Sequence, residues 1–383
     1  MRIAPRTMLC GIAWRVHLNV AGDRFDELRQ LCTAAGDKAS LAIAMAGLVV
    51  DHVYHGRVRE GSQLASEAMA LIESVGDPTL MVGLSFTAIY AKCVNAEWSD
   101  VLRWSQKVIE LAYGDPAKGN FVIGSPLATA FTTRGIARYF IGLPAWRDDL
   151  QQGPGMARRA DPLSFARAVS YVYFVGVTAG VLRSEDSMVR DIEYALRHAE
   201  RSADDLALAL TRMTLGVALV HRPTATERDR GAEVLGNVCE VFASRGHNLS
   251  ELPIAAIYSA REMARREGRE DAIPLIRAEV DRLVREGLLL GWGIGATSAL
   301  VEILLDRGAD ADVTEAAAAI TRLADASADD GPVIRDIWLL RLRALLARAH
   351  DDTAGYVDFR DRYREMATSL GFEGHIDWAE AMP

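Results

Sequence analysis

Polar and hydrophobic positions along this chain recur as a unit. A Gly or a short polar break is followed by a charged amphipathic stretch, and the pattern returns about every forty residues. The breaks stand at Gly22 (GDRFDEL), Gly56 (GRVREGS), Glu97 (EWSDVLR), Gly142 (GLPAWRD), Ser184 (SEDSMVR), Thr226 (TERDRGA), Gly268 (GREDAIP), Gly308 (GADADVT) and Asp351 (DDTAGYV). Successive breaks are 34 to 45 residues apart. A sustained period of that size is the mark of stacked repeats, in which each unit buries its apolar face on its neighbours.

Each period divides into two helical stretches. The first is the more apolar, at 41–54, 80–94, 126–141, 165–181, 206–220, 253–264, 294–305 and 334–346. Apolar residues recur there at three and four, as in Leu206, Leu210, Met213, Val217 and Val220, one stripe of a helix. The second is amphipathic. In 60–75, Leu64, Ala68, Leu71 and Val75 are expected to face inward, with Glu60, Gln63, Glu67 and Glu73 outward. No window alternates with period two, so no strand is predicted. Asp77-Pro78, Ser125-Pro126 and Asp161-Pro162 each read as a capping side chain followed by Pro at the first helical position. Pro144, Pro253 and Pro332 mark further starts, and Pro274 falls in a first turn. The breaks at 113–124 and 151–154 (QQGP) are read as inter-repeat loops, leaving no Pro inside a helix.

The expected fold is all-α: a right-handed superhelical solenoid of tetratricopeptide-like antiparallel helix pairs. About nine pairs would occupy 1–370, and 371–383 would form a C-terminal capping tail. The standard tetratricopeptide repeat has about 34 residues, so most of these units predict longer helices. In the tail, Gly371 suits a left-handed helix C-cap. Phe372 then packs back, and Ile376, Trp378 and Ala379 cover the end of the stack. Docking of Trp378 on another domain or subunit is the alternative reading of this segment.

Composition narrows the function classes. Half of the 383 residues are hydrophobic, ample for a continuous core. A net charge of −9 argues against direct nucleic-acid binding, which normally uses a basic face. Cys10, Cys32, Cys93 and Cys239 lie far apart without a CxxC pair and read as small hydrophobes in a reducing cytoplasm. No stretch approaches eighteen uninterrupted apolar residues, so no membrane partner is expected. Only four residues are Lys against 39 Arg, a bias typical of a GC-rich bacterial genome. The amphipathic pattern begins almost at Met1, as it would in one part of a longer polypeptide.

The most specific string is Tyr363 to Met382, YREMATSLGFEGHIDWAEAM. With GRVREGSQLASEAMALIESVGDPTLMVGL and EWSDVLRWSQKVIELA upstream, it resembles the C-terminal tetratricopeptide-like array of mycobacterial and other actinobacterial multidomain proteins. Those join a class III adenylate/guanylate cyclase domain and an AAA-type ATPase domain to the array. Related arrays occur in LuxR-type ATP-dependent transcriptional regulators. The resemblance implies a regulatory arm. The chain has no GxxxxGK[ST] phosphate loop and no α/β stretch with paired metal-binding aspartates, so no catalytic residue carries over.

Local constellations add little chemistry. His52 and His55 in DHVYH share a helix face without a third metal ligand and read as a helix-end pair. Gly287, Gly291, Gly293 and Gly295 follow a helix rather than a strand and read as a turn around Trp292. Asp148-Asp149, Asp329-Asp330 and Asp351-Asp352 sit at predicted helix starts, where Asp caps backbone N–H groups. Arg261, Arg265, Arg266 and Arg269 alternate with Glu262, Glu267 and Glu270, as on an ion-paired solvated face. A stand-alone helical hydrolase or terpenoid-type synthase would need convergent carboxylates such as DDxxD, which are missing.

The expected function is therefore a non-catalytic interaction or sensor module. It needs no metal or cofactor, and it binds a protein, a peptide or a small effector on the concave side formed by the first helices. The residues suited to that face are Tyr90, Arg134, Arg138, Tyr171, Arg212, Tyr258 and Arg261. Arg and Tyr carry binding energy well, through forked hydrogen bonds and broad flat surfaces.

Overall fold

The computed structural model describes residues 3–15, 23–202, 204–246, 248–268, 270–326 and 331–383. Gly22, Arg269 and the Asp329-Asp330 pair lie outside them. The helices are α1 (Ile3–Ile12), α2 (Asp23–Ala35), α3 (Lys38–Tyr54), α4 (Val58–Val75), α5 (Pro78–Val94), α6 (Trp98–Leu111), α7 (Pro126–Phe140) and α8 (Trp146–Ala157). Next come α9 (Pro162–Ser170), a π-helical turn (Tyr171–Val175) that continues it, α10 (Gly176–Thr178), α11 (Asp186–Ser202), α12 (Asp205–Val220) and α13 (Ala225–Arg245). The chain closes with α14 (Leu252–Glu267), α15 (Ala272–Glu286), α16 (Gly293–Arg307), α17 (Asp310–Asp325), α18 (Val333–Ala349), α19 (Thr353–Leu370) and α20 (Glu373–Glu380). Among the described residues there is no strand. Nearly every helix packs on its successor (α11 packs on α9 rather than on the short α10), and first helices stack on the next first helix (α3 on α5, α5 on α7, α12 on α14, α16 on α18), giving a solenoid of tetratricopeptide-like pairs.

The caps follow from the residues placed at the boundaries. Asp77, Ser125, Asp161, Asp204 and Asp352 each accept a hydrogen bond from a backbone N–H two or three residues on. Thr224 and Glu227 bond to each other across the first turn of α13. First helices are apolar nearly all round because they are covered on both sides: in α5 every residue from Leu80 to Val94 is buried. Second helices keep one face in water.

Two local expectations need correction. The QQGP segment is not a loop. α8 runs through it to Ala157, with Pro154 inside the helix, because Gly153 allows a close approach to Thr132 on α7. In α4 the inward stripe is centred on Ala65, Ala68, Met69 and Ile72, with Leu64, Leu71 and Val75 only half-buried. Small Gly61 and Ser62 start that face, letting α4 approach Val49 and Val53 of α3.

The superhelix closes on itself. The Leu249 N–H donates to the Tyr54 carbonyl at 2.9 Å, joining the end of α3 to the loop before α14. The Gly291 Cα lies so near the end of α5 that a Cβ there would stand 2.7 Å from the Val94 carbonyl oxygen. Gly295 approaches the Thr178 carbonyl in the same way. The glycine-rich segment is thus a contact between successive turns of the superhelix.

The tail takes part in this closure. Gly371 adopts φ 66° at the end of α19, and Phe372 is fully buried. Its ring meets Trp146 and Tyr139 at 6.0 and 6.4 Å, well back along the array. Glu373 N–H and His375 N–H donate to the Val181 and Gly180 carbonyls. The tail therefore covers the inner flank of the middle pairs as well as α19.

Gly291→Ala should lower stability by about 1–3 kcal/mol, since its methyl must displace the end of α5. Gly236→Ala, in open space within α13, should raise it by about 0.5–1 kcal/mol. Urea unfolding of both variants checks the pair. Equal effects would count against the inter-turn contact.

Candidate functional site

Closure leaves a polar opening among the first helices of the C-terminal half. It is a pocket of about 230 Å³ walled by the end of α12 (His221, Arg222), α13 (Arg228), α14 (Tyr258, Arg261, Arg265), α16 (Ser298, Glu302), α18 (Trp338, Arg341) and α20 (Trp378). A wider groove of about 610 Å³ shares Arg261, Arg265 and Glu302 and extends to Arg307.

Five guanidinium groups line this pocket against one carboxylate. Buried Glu262 stands behind them, accepting from Arg265 at 2.8 Å and lying 3.4 and 3.5 Å from Arg261 and Arg228. Arg341 donates to Glu302 at 2.5 Å, and Ser298 donates to the same oxygen. Burial works to raise the Glu302 carboxyl, but Arg341 and Ser298 override it and hold the group below the usual carboxylate range. Arg341 Nε, a buried donor, has no protein acceptor. Arg261 Nε has only the 3.4 Å ion-pair contact with Glu262. Arg222 is paired with Asp186 and Glu227, so four carboxylates, most of them behind the wall, offset most of the charge of the five guanidinium groups.

Aromatic rings floor the pocket. The Arg261 guanidinium lies 4.7 Å from the Tyr258 ring centre, and Arg341 lies 5.5 and 5.2 Å from Trp338 and Trp378. His221 packs edge-on to Tyr258 at 4.9 Å. Its pKa is lowered to about 3, first by burial and then by Arg261, so the imidazole is neutral and adds no charge. The arrangement suits an anion joined to a flat or apolar body.

The seven residues singled out from sequence fall into different environments. Tyr258 and Arg261 meet in this pocket. Tyr90 and Tyr171 also meet, with ring centres 6.4 Å apart, but both are buried at the superhelix axis and do not line an open concave face. The correction has a simple cause: inter-turn contact fills the space that an open solenoid would leave. Arg134 and Arg138 share a face as expected, yet both grip buried Asp149, at 2.5 and 2.7 Å. Asp149 is thus the acid of a structural ion-pair cluster and not a helix-start cap. Arg212 is exposed on α12 and lines neither opening. Asp352 does cap α19, and His55 ends α3 with its Nδ1 on the Asp51 carbonyl. Among the described residues no group of three His, Cys, Asp or Glu side chains has metal-site geometry, and the four cysteines are unpaired. No described helix is long and apolar enough to cross a membrane.

Arg222, Arg228, Glu302, Trp338 and Arg341 escaped the sequence reading. Their signal is the repeat period itself. Glu302 and Arg341 are 39 residues apart, and Arg261 reaches a carbonyl 41 residues back.

No family model matches the sequence, and a search of curated proteins found no relative. Among solved structures, the chain is similar to a Rap protein crystallised in complex with Competence and Sporulation Factor. That likeness covers 90% of this chain and 96% of the other, with a TM-score of 0.54 at 11% identity. It shows the tetratricopeptide-like helical-repeat fold.

The tail residue beside the pocket yields a pH prediction. His375 is fully buried between the Tyr363 hydroxyl, 2.8 Å from Nδ1, and the Ala179 carbonyl, 3.0 Å from Nε2. Burial, then Arg341, lowers its pKa to about 3 from 6.5. Between those values the unfolded chain binds a proton that the folded chain refuses. Stability from this group is present above pH 6.5 and is lost as pH falls toward 3, by about 1.4 kcal/mol per pH unit at most. His375→Gln should remove that share of the slope between pH 7 and pH 5 in urea unfolding. Parallel pH profiles would contradict it.

Proposed function

We propose that this chain is a non-catalytic sensor and interaction module whose effector carries a carboxylate or phosphate into the arginine pocket between α12 and α18. The observation that carries the proposal is the composition of the wall: five guanidinium groups, two of them (Arg261 and Arg341) with a buried Nε that makes no hydrogen bond, over three aromatic rings. Arg forks match planar anions bidentately, and the rings accept a flat or apolar remainder. A short acidic peptide or a small anionic metabolite has both parts. The fold supports a binding role, since a tetratricopeptide-like neighbour was itself solved as a complex.

In this proposal the occupied pocket also signals. Its wall includes Trp378 of α20, and the same helix holds Gly180 and Val181 of the middle pairs through His375 and Glu373. An effector touching Trp378 and Arg341 would therefore bias the closure of the superhelix. The tail string and the upstream repeats support a setting beside a cyclase or ATPase domain, with an ATP-dependent transcriptional regulator as the second setting.

Fluorescence titration tests the pocket directly, because Trp338 and Trp378 line it. Probes are short peptides with a free or an amidated C-terminus, and adenosine phosphates. Saturable binding should depend on the anionic group. Arg261→Gln and Arg341→Gln should each weaken it about 10- to 100-fold, the value of a charge-assisted hydrogen bond. Arg212→Gln should leave it unchanged. Binding insensitive to both pocket variants would refute the assignment.

A further inference from the structure

A second cavity lies at the superhelix axis, enclosed by residues from both turns. Tyr54 and Tyr90 come from the early pairs, Arg167 and Tyr171 from the α9 region, and Glu251 and Trp292 from the later loops. Its volume of about 20 Å³ has room for one water-sized occupant.

The charges around it are unbalanced in a specific way. Arg167 is only 3% exposed, and a guanidinium stays protonated at any burial. Its Nη2 donates to the Tyr54 hydroxyl at 3.0 Å. The rings of Tyr90, Phe86 and Trp14 surround it at 5.5 to 5.9 Å. Among the described residues no carboxylate comes within ion-pair distance of it. Glu251 lines the same cavity without touching the guanidinium: Tyr90 donates to one of its oxygens at 2.8 Å and Ser250 to the other at 2.5 Å, and burial pushes its carboxyl upward, toward the neutral form. A buried cation without a contacting counter-charge is costly.

The unused polar atoms of this wall are donors. Arg167 Nε, the Tyr171 hydroxyl and Trp292 Nε1 are all buried without a protein acceptor. Each belongs to a residue at least 93% buried, and all three residues line this one cavity. A water would bring two hydrogens of its own to a wall already rich in donors. A halide brings none, accepts from several donors at once, and puts a negative charge in contact with the guanidinium.

We infer that the axial cavity is a binding site for a single small monovalent anion, of which chloride is the abundant cellular example. The ion sits where the early and late turns meet, so its occupancy ties them together. The site is separate from the arginine pocket and too small for a carboxylate- or phosphate-bearing effector.

Two measurements on the full chain test this. In crystals grown with sodium bromide in place of chloride, anomalous scattering should place one bromide in the cavity beside Arg167, Tyr171 and Trp292. In solution, replacing sodium gluconate with sodium chloride at constant ionic strength should raise Tm along a saturating curve, as binding to the folded state requires. Tyr171→Phe keeps the ring and removes one donor, and should shift that curve about tenfold toward higher chloride. Trp292→Phe should act in the same direction. An ordered cavity without an anomalous peak would overturn the inference. So would a chloride response that both variants leave unchanged, since it would then belong to surface arginines.

Discussion

The contact between successive turns of the superhelix governs the rest of this structure. Carbonyls at the ends of first helices, at Tyr54, Val94, Thr178 and Gly180, meet backbone atoms of segments far along the chain. An isolated helix pair has no use for those carbonyls beyond water. Here they find N–H donors or Gly faces, and the axis fills with packed side chains. The rings of Trp14, Tyr54, Tyr90 and Tyr171 form a run along it, with neighbours 5.6 to 6.4 Å apart. A repeat protein normally gains stability only from nearest neighbours. This one adds contacts between residues separated by 161 to 226 positions.

Arginine is the instrument of that closure and of the opening it leaves. Arg134 and Arg138 converge on Asp149, Arg167 reaches across turns to Tyr54, and Arg147 bonds the Gly371 carbonyl. A planar fork can serve several acceptors and stack on a ring at the same time, which an ammonium cannot do. In the α12–α18 pocket five of the same side chains face an opening, and two of them keep a buried Nε without a hydrogen-bond acceptor. Structural and functional arginines thus differ less in kind than in whether the fold supplies an acceptor.

Much of the architecture was legible in the sequence, for reasons that can be named. Asp77-Pro78, Ser125-Pro126 and Asp161-Pro162 marked helix starts because capping is local chemistry. Gly371 marked the end of α19 because a left-handed residue is needed there. Local rules failed where tertiary packing overrode them: QQGP stayed helical because Gly153 seats it on α7. The concave-face residues were legible only in part. Tyr258 and Arg261 did meet in a pocket, but no local pattern announces that a solenoid will close and bury Tyr90 and Tyr171. The hidden clue was the presence of Arg167 in an otherwise apolar helix and of Gly291 and Gly295 at the repeat boundary. Both make sense only once a second turn of chain lies against them.

The closure itself is best tested by amide hydrogen exchange resolved to single residues. The N–H groups of Leu249, Glu373 and His375 sit outside helical ladders, and their only acceptors are carbonyls of the distant turn. If the superhelix is closed, these three amides exchange as slowly as the cores of α5 and α12, in one cooperative opening. Exchange at the rate of the exposed 113–120 loop, with the helices still protected, would show that the turns stand apart and would contradict the account.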